Sequence, residues 1–156
     1  MVHLNLMRIA TKSEKIDLFS EEKTSDLAKK VQKKLLVGDI ILMFGEIGVG
    51  KTTFVKYLIN QFQRENNLQL TEVTSPTFNL LNEYKIKDFN IYHYDLFRIK
   101  TSSELKDLDL FNNTNSITLI EWPQIIKEKP KKTIEFIFEY EGDYEKRSVL
   151  INGLNF

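Results

Sequence analysis

Residues 44–54 read FGEIGVGKTTF, and Gly45, Gly50, Lys51 and Thr52 fit the pattern G-x(4)-G-K-[ST]. The run DIILMF, residues 39–44, leads directly into it. A continuous apolar run of that length is the kind of strand buried on both faces of a parallel sheet. Behind the loop, KTTFVKYLINQFQRE (residues 51–65) puts Phe54, Leu58 and Phe62 on one stripe of a helix. Strand, glycine loop and helix in that order convert a pattern match into a site. In such a loop the glycines let the backbone curl so that N–H groups point inward at phosphate oxygens. The helix that starts near Lys51 adds its positive N-terminal end. Lys51 is placed for the β- and γ-phosphates and the Thr52 hydroxyl for Mg²⁺. A nucleoside triphosphate is therefore the expected ligand. The loop, Gly45, Glu46, Ile47, Gly48, Val49, Gly50, Lys51, Thr52 and Thr53, is its expected cradle.

The rest of the chain supports an α/β domain with a mixed sheet. VHLNLMRIA, residues 2–10, alternates as a first strand would. Residues 24–36 place Leu27, Val31 and Leu35 on one helical face, with Gly38 as the expected stop. SPTF is followed by a strand over residues 78–84, and FNIYHYDLF by another. The short connection KIKD between them implies antiparallel pairing. TSSE at residues 101–104 reads as a capping box opening a short helix. ITLIEW is an apolar strand, and Pro123 in EWPQIIKE suits the first turn of a helix. Residues 133–153 form a hairpin turning near Gly142. A length of 156 residues suits one compact domain, residues 1–156. The fold expected is thus a single P-loop NTPase-like domain whose mixed sheet is flanked by helices and ends in a β-hairpin.

Composition narrows the partners. Lys+Arg and Asp+Glu are both 22, a formal charge of zero, whereas a chain that grips nucleic acid unaided is usually basic. There is no cysteine, which removes disulfides and thiolate metal sites. No apolar run approaches the ~18 residues a membrane span needs, and the N-terminus lacks a signal layout. A cytoplasmic chain is expected, with neither membrane nor DNA as partner. The lysine run at residues 127–132 reads as a solvated loop, with tRNA contact as the alternative.

Phosphate-loop enzymes need a carboxylate at the end of a neighbouring strand. Glu121 closes ITLIE, and Asp95 closes FNIYHYD with His93 two residues earlier on the same face. The bland alternatives are a solvated acid for Glu121, and a cap or an ion pair with Arg98 for Asp95. His93 reads as a packed, hydrogen-bonded ring; with only His3 beside it, a histidine zinc site has little support. Arginines occur only at positions 8, 64, 98 and 147, so the arginine-rich lid of a small nucleoside kinase is missing. No guanine-reading N-K-x-D occurs. The residues alone thus describe a small ATPase with an unassigned output. A module that holds ATP as a switch without useful hydrolysis is the rival reading, and a small-molecule kinase a third.

GEIGVGKTTF, SPTFNLLNEY, YHYDLFRI, an EL helix start and LIEWPQ, across residues 24–124, follow the order and spacing of the TsaE (YjeE) family, which this chain resembles. The resemblance implies a small ATPase that binds ATP or ADP with Mg²⁺. It would support the TsaD and TsaB proteins in placing threonylcarbamoyl on adenosine 37 of tRNAs reading codons that begin with A. The tRNA would be met only through that complex. It further implies Lys51 and Thr52 as phosphate and Mg²⁺ contacts, Glu121 as a metal-shell carboxylate and Asp95 as a residue needed for hydrolysis. Ser75, Pro76 and Thr77 would form a switch-like loop without a fixed position until something docks on it. Trp122 would lie beside the site and Thr24 near the base. Phe97 replaces a common tyrosine, and Asp109 a common glycine after the short helix, a turn that asks aspartate for the left-handed conformation.

Overall fold

The computed structural model describes residues 13–156. The strand expected at residues 2–10 lies outside the described residues. Helix α1, Glu21–Lys34, begins three residues before the expected position because Ser20 caps it: the Lys23 N–H donates to the Ser20 hydroxyl at 3.2 Å. Glu21 and Glu22 in its first turn and Lys33 and Lys34 in its last match the helix dipole. Gly38 is not its stop. The helix gives way at Leu35, which is extended, and Gly38 (φ 101°) turns the chain into the sheet, its N–H donating to the Ser116 carbonyl at 2.8 Å.

Seven strands form one sheet in the order β1-β7-β6-β2-β5-β4-β3. They are β1 (Glu14–Asp17), β2 (Ile40–Phe44), β3 (Leu81–Lys85), β4 (Asn90–Asp95), β5 (Ser116–Glu121), β6 (Ile134–Glu141) and β7 (Asp143–Asn152). The apolar β2 lies between β5 and β6 and is parallel to both, and β4 runs parallel to β5. The pairs β3–β4, β6–β7 and β1–β7 are antiparallel. The mixed sheet, the antiparallel β3–β4 pair and the hairpin at Gly142 are as expected. One face of the sheet, with Ile41, Met43 and Phe136, packs against α1 and against α2 (Lys51–Glu65), whose Phe54, Leu58 and Phe62 are buried. The other face carries Ile40, Leu42, Tyr94 and Ile120 under Leu96, Ile99, Leu110 and Ile126.

The short helix α3, Ser102–Asp107, is capped by Thr101, but Glu104 reaches back to the Lys100 N–H at 3.2 Å rather than to the cap residue. Asp109 does take the left-handed conformation (φ 51°). At Pro123 only a single 3-10 turn forms, Pro123–Ile125, and not a longer helix, because Ile126 is already extended. No helix among the described residues is long and apolar enough to cross a membrane.

This topology decides where a site can be. The parallel strands β2, β5 and β4 lie side by side and end on one edge, with Met43 opposite Glu121 and Glu121 opposite Asp95. A crevice beyond the carboxyl ends of parallel strands is the usual ligand position in such sheets.

Candidate functional site

The glycine loop leaves β2 and returns as α2 with Gly50 at the helix N-cap, in the left-handed region (φ 115°). Gly45 has φ 147°, and a Cβ there would lie 2.9 Å from the Phe138 carbonyl oxygen and 2.8 Å from a Val49 methyl. No other residue fits that position without moving β6. Val49 itself is buried and packs in the core, so its side chain anchors the loop. On the hairpin side, the Tyr140 hydroxyl donates to the Ile47 carbonyl at 3.2 Å and steadies the loop tip.

A cleft of about 290 Å³ opens over the loop, lined by Ile47, Gly48, Gly50, Lys51, Thr52 and Thr53 from one side. Ser75, Thr77, Asp95, Phe97, Glu121 and Trp122 line the other. Eleven of the sixteen expected site residues are therefore in one place. Gly45 and Glu46 contribute differently: their carbonyls accept from the Lys51 ammonium, Glu46 at 3.2 Å. That ammonium also lies 3.7 Å from the centre of the Trp122 ring. Burial holds it below the ordinary lysine value of 10.5, and the charges of Glu121 and Asp95 offset this only in part. Trp122 is held in the left-handed region (φ 57°, ψ 54°), a costly conformation for a bulky residue and one that gathers at functional sites. Its ring packs on Phe97 at 4.9 Å between centroids.

The two carboxylates are buried, Glu121 at 2% exposure and Asp95 at 5%. Glu121 is thus no solvated acid. Its Oε1 accepts from the Thr52 hydroxyl at 2.9 Å, and its Oε2 is 2.6 Å from Nε2 of His93. Asp95 makes no ion pair with Arg98 among the described residues. Its Oδ2 accepts from the Ser75 hydroxyl at 2.6 Å and its Oδ1 from the Phe97 N–H at 2.9 Å, so it does cap a turn. The loop at residues 75–77 is hydrogen-bonded in this conformation. Besides the Ser75 bond, Asn82 Nδ2 donates to the Thr74 carbonyl at 3.1 Å and the Leu80 N–H to the Pro76 carbonyl at 2.9 Å. Pro76 is buried.

Thr24 faces a second cleft of about 360 Å³ that shares Gly50 and Thr53 with the first and is also lined by Leu18, Phe19, Val49 and Arg147. Nothing in the local sequence marks Phe19 and Arg147, because only the pairing of edge strand β1 with β7 brings them beside the loop. Arg98 does not point at the loop; its guanidinium lies 4.2 Å from the centre of the exposed Phe78 ring. Lys127, Lys129, Lys131 and Lys132 are exposed, and Lys129 pairs with Glu135 at 3.3 Å, in keeping with a solvated loop.

Comparison with known proteins agrees with this geometry. The family model described as "Threonylcarbamoyl adenosine biosynthesis protein TsaE" matches residues 18–149. A protein of Rickettsia conorii named tRNA threonylcarbamoyladenosine biosynthesis protein TsaE is 46% identical over 111 residues, 70% of this chain and 61% of that one. A protein of the same name from Borreliella burgdorferi is 33% identical over 141 residues, 88% of this chain and 98% of that one. The chain thus spans 61% and 63% of the length of two rickettsial relatives but nearly all of the Borreliella one. The crystal structure of Bacillus subtilis YdiB superposes with a TM-score of 0.71 at 24% identity, covering 93% of this chain and 88% of that one, which bears out the α/β fold. With a family match running from just before α1 into β7, and the glycine loop, Glu121 and Asp95 on one sheet edge, the chain belongs to the TsaE family.

Proposed function

We propose that this chain binds ATP or ADP with Mg²⁺ in the cleft over the glycine loop and hydrolyses ATP. That turnover would support the TsaD and TsaB proteins in threonylcarbamoylation of tRNA, the tRNA being met through their complex. One observation carries the reading: the Thr52 hydroxyl and Glu121 Oε1 lie 2.9 Å apart at the start of the loop helix, with Asp95 in register beside Glu121.

The residues suit Mg²⁺. Among the described residues no cluster of three or more His, Cys, Asp or Glu could hold a metal by itself. Mg²⁺ in nucleotide sites is held by one or two protein oxygens plus phosphates and water, and Thr52 and Glu121 are such a pair. When bound, the ion neutralises charge on the β- and γ-phosphates. Lys51 would exchange the Gly45 and Glu46 carbonyls for phosphate oxygens, and Asp95 would orient the attacking water. The second cleft, with Thr24, Phe19 and Arg147, would take the base and ribose. No guanine-reading motif occurs in the sequence. ATP is therefore expected to bind more tightly than GTP, and equal affinities by calorimetry would count against the ATP assignment.

Lys51→Met should weaken triphosphate binding by about 10- to 100-fold, the range for losing a hydrogen bond to a charged group. The same change should not lower the melting temperature. Desolvation depresses the Lys51 pKa in the folded chain, so the unfolded chain binds the extra proton more readily. Charging Lys51 therefore costs folding stability at neutral pH, and the cost fades as pH rises toward 10.5. The melting advantage of the variant should narrow over that same rise; an advantage that widens with pH would contradict the account. Reconstituting tRNA modification from TsaD and TsaB with and without this chain tests the reading as a whole. Unchanged product formation without the chain overturns it.

A further inference from the structure

The buried contact between His93 and Glu121 has no part in the phosphate contacts above. His93 is on β4 and Glu121 on β5. The strands are parallel with His93 opposite Leu119, so both side chains project from the sheet face that meets α2. The His93 ring is fully buried, and its Nε2 is 2.6 Å from Glu121 Oε2. The other ring nitrogen, Nδ1, is buried without any hydrogen-bond partner. A proton on Nδ1 would be a buried donor with nothing to receive it, so the hydrogen-bond pattern assigns the proton to Nε2, which donates to the carboxylate. Both oxygens of Glu121 are then spoken for, Oε2 by His93 and Oε1 by Thr52.

That arrangement has a competitor. The Lys51 ammonium is desolvated, and the charge of Glu121 acts on it. Yet no ion pair forms between them among the described residues; Lys51 turns instead to the Gly45 and Glu46 carbonyls and the Trp122 ring. The charge of Glu121 attracts Lys51, yet both carboxylate oxygens are engaged by His93 and Thr52. Thr52 cannot hold the carboxylate alone, because its hydroxyl is the group that must turn to the metal.

We infer that His93 is a positioning residue: its Nε2–H holds Glu121 aimed at the Thr52 side, where the Mg²⁺ shell would form, and away from Lys51. This rests on the nucleotide reading proposed above. A hydrogen-bond donor behind a metal-shell carboxylate typically matters by about 10- to 100-fold in metal affinity.

The test separates the donor from the ring. A non-hydrolysable ATP analogue is titrated calorimetrically into the parent, His93→Phe and His93→Gln, each with Mg²⁺ and with chelator. His93→Phe keeps an apolar ring but no donor, and His93→Gln keeps a donor at similar reach. The gain in affinity from Mg²⁺ should fall about 10- to 100-fold in His93→Phe, with metal-free affinity unchanged, and His93→Gln should recover most of it. A His93→Phe variant with the parent's Mg²⁺ gain sinks the inference. So does a His93→Gln variant as deficient as His93→Phe, since that would make the ring's packing responsible. If His93→Phe does not fold, nitrogen NMR of the labelled histidine in the parent decides together with His93→Gln. The inference expects a proton on Nε2, and an Nε2 without a proton overturns it. Failure of the parent to bind the analogue under either condition sinks the nucleotide reading, and this inference with it. A parent that binds, paired with a variant that keeps the full Mg²⁺ gain, sinks this inference alone.

Discussion

Asp95→Asn should lower phosphate release by about 10²–10⁴-fold, the range for losing a positioned proton acceptor, while ATP affinity stays within a few-fold. The substitution is nearly isosteric at this site. The Asp95 carboxylate is held by two donors, the Ser75 hydroxyl at 2.6 Å and the Phe97 N–H at 2.9 Å. An asparagine oxygen can still accept from Phe97, and the Ser75 hydroxyl can rotate to accept from the new amide. What disappears is the negative charge at the end of β4, directly opposite Glu121 on β5. A group needed only as the γ-phosphate bond breaks lowers the rate without weakening ground-state binding. The measurement is steady-state phosphate release beside calorimetric affinity for a non-hydrolysable ATP analogue. Turnover at the parent rate would remove Asp95 from the mechanism. A matching loss of affinity would make it a binding residue instead. The rival reading, a module that holds ATP without useful hydrolysis, predicts no release by the parent under any condition.

The legible parts of this site share one property, which is that each is set by local chemistry. Gly45, Gly50, Lys51 and Thr52 lie within eight consecutive positions, 45–52, and the strand and helix around them follow from their own periodicity. Glu121 and Asp95 are legible because each acid ends an apolar strand. What pattern reading misses depends on how distant strands are ordered. The His93–Glu121 bond joins residues 28 apart and needs β4 and β5 to be parallel neighbours in one register. Phe19 and Arg147 meet beside Gly50 only because β1 and β7 pair at the sheet edge, and nothing near either residue announces it. The left-handed backbone of Trp122 is hidden for another reason. Residue type argues against it, and it persists because Pro123, the Phe97 ring and the Lys51 ammonium surround it. The loop at residues 75–77 looks free in sequence because Ser-Pro-Thr is turn chemistry. Its anchor, the Asp95 carboxylate, lies 20 residues away from Ser75.

Adding the TsaB–TsaD pair should accelerate ATP hydrolysis by this chain, and the reason is that no arginine among the described residues is aimed at the γ-phosphate position. Phosphoryl transfer builds negative charge on the γ-phosphate oxygens, and an arginine aimed there is worth about 10³–10⁵ in rate. Among the described residues, Lys51 is the only cation lining the cleft. Arg98 is exposed and stacked on Phe78, Arg147 belongs to the neighbouring cleft, and Arg64 sits in the last turn of α2, at the end of the helix opposite Lys51. None of these three is placed as an arginine finger. Ile47 and Phe97 at the cleft are 77% and 49% exposed, and Phe78, next in sequence to the cleft-lining Thr77, is 79% exposed, apolar surface that a docked protein would cover. Covering it would exclude water from the cleft, which strengthens every charge interaction inside. A partner side chain would be placed to supply such a cation at the same time. The contribution of exclusion alone is smaller, so an acceleration approaching the full range above would point to a supplied charge. A Phe78→Asp variant should lose most of the acceleration while keeping its rate in isolation, because that side chain does not line the cleft. Linkage adds a second readout. If the partners bind the ATP state more tightly by some factor, ATP must bind the assembled complex more tightly by the same factor. Phosphate release by the chain alone, then with TsaB and TsaD added, decides the matter. Equal rates in the two conditions would mean that the chain already carries everything its chemistry needs, and the exposed apolar surface would require a different explanation.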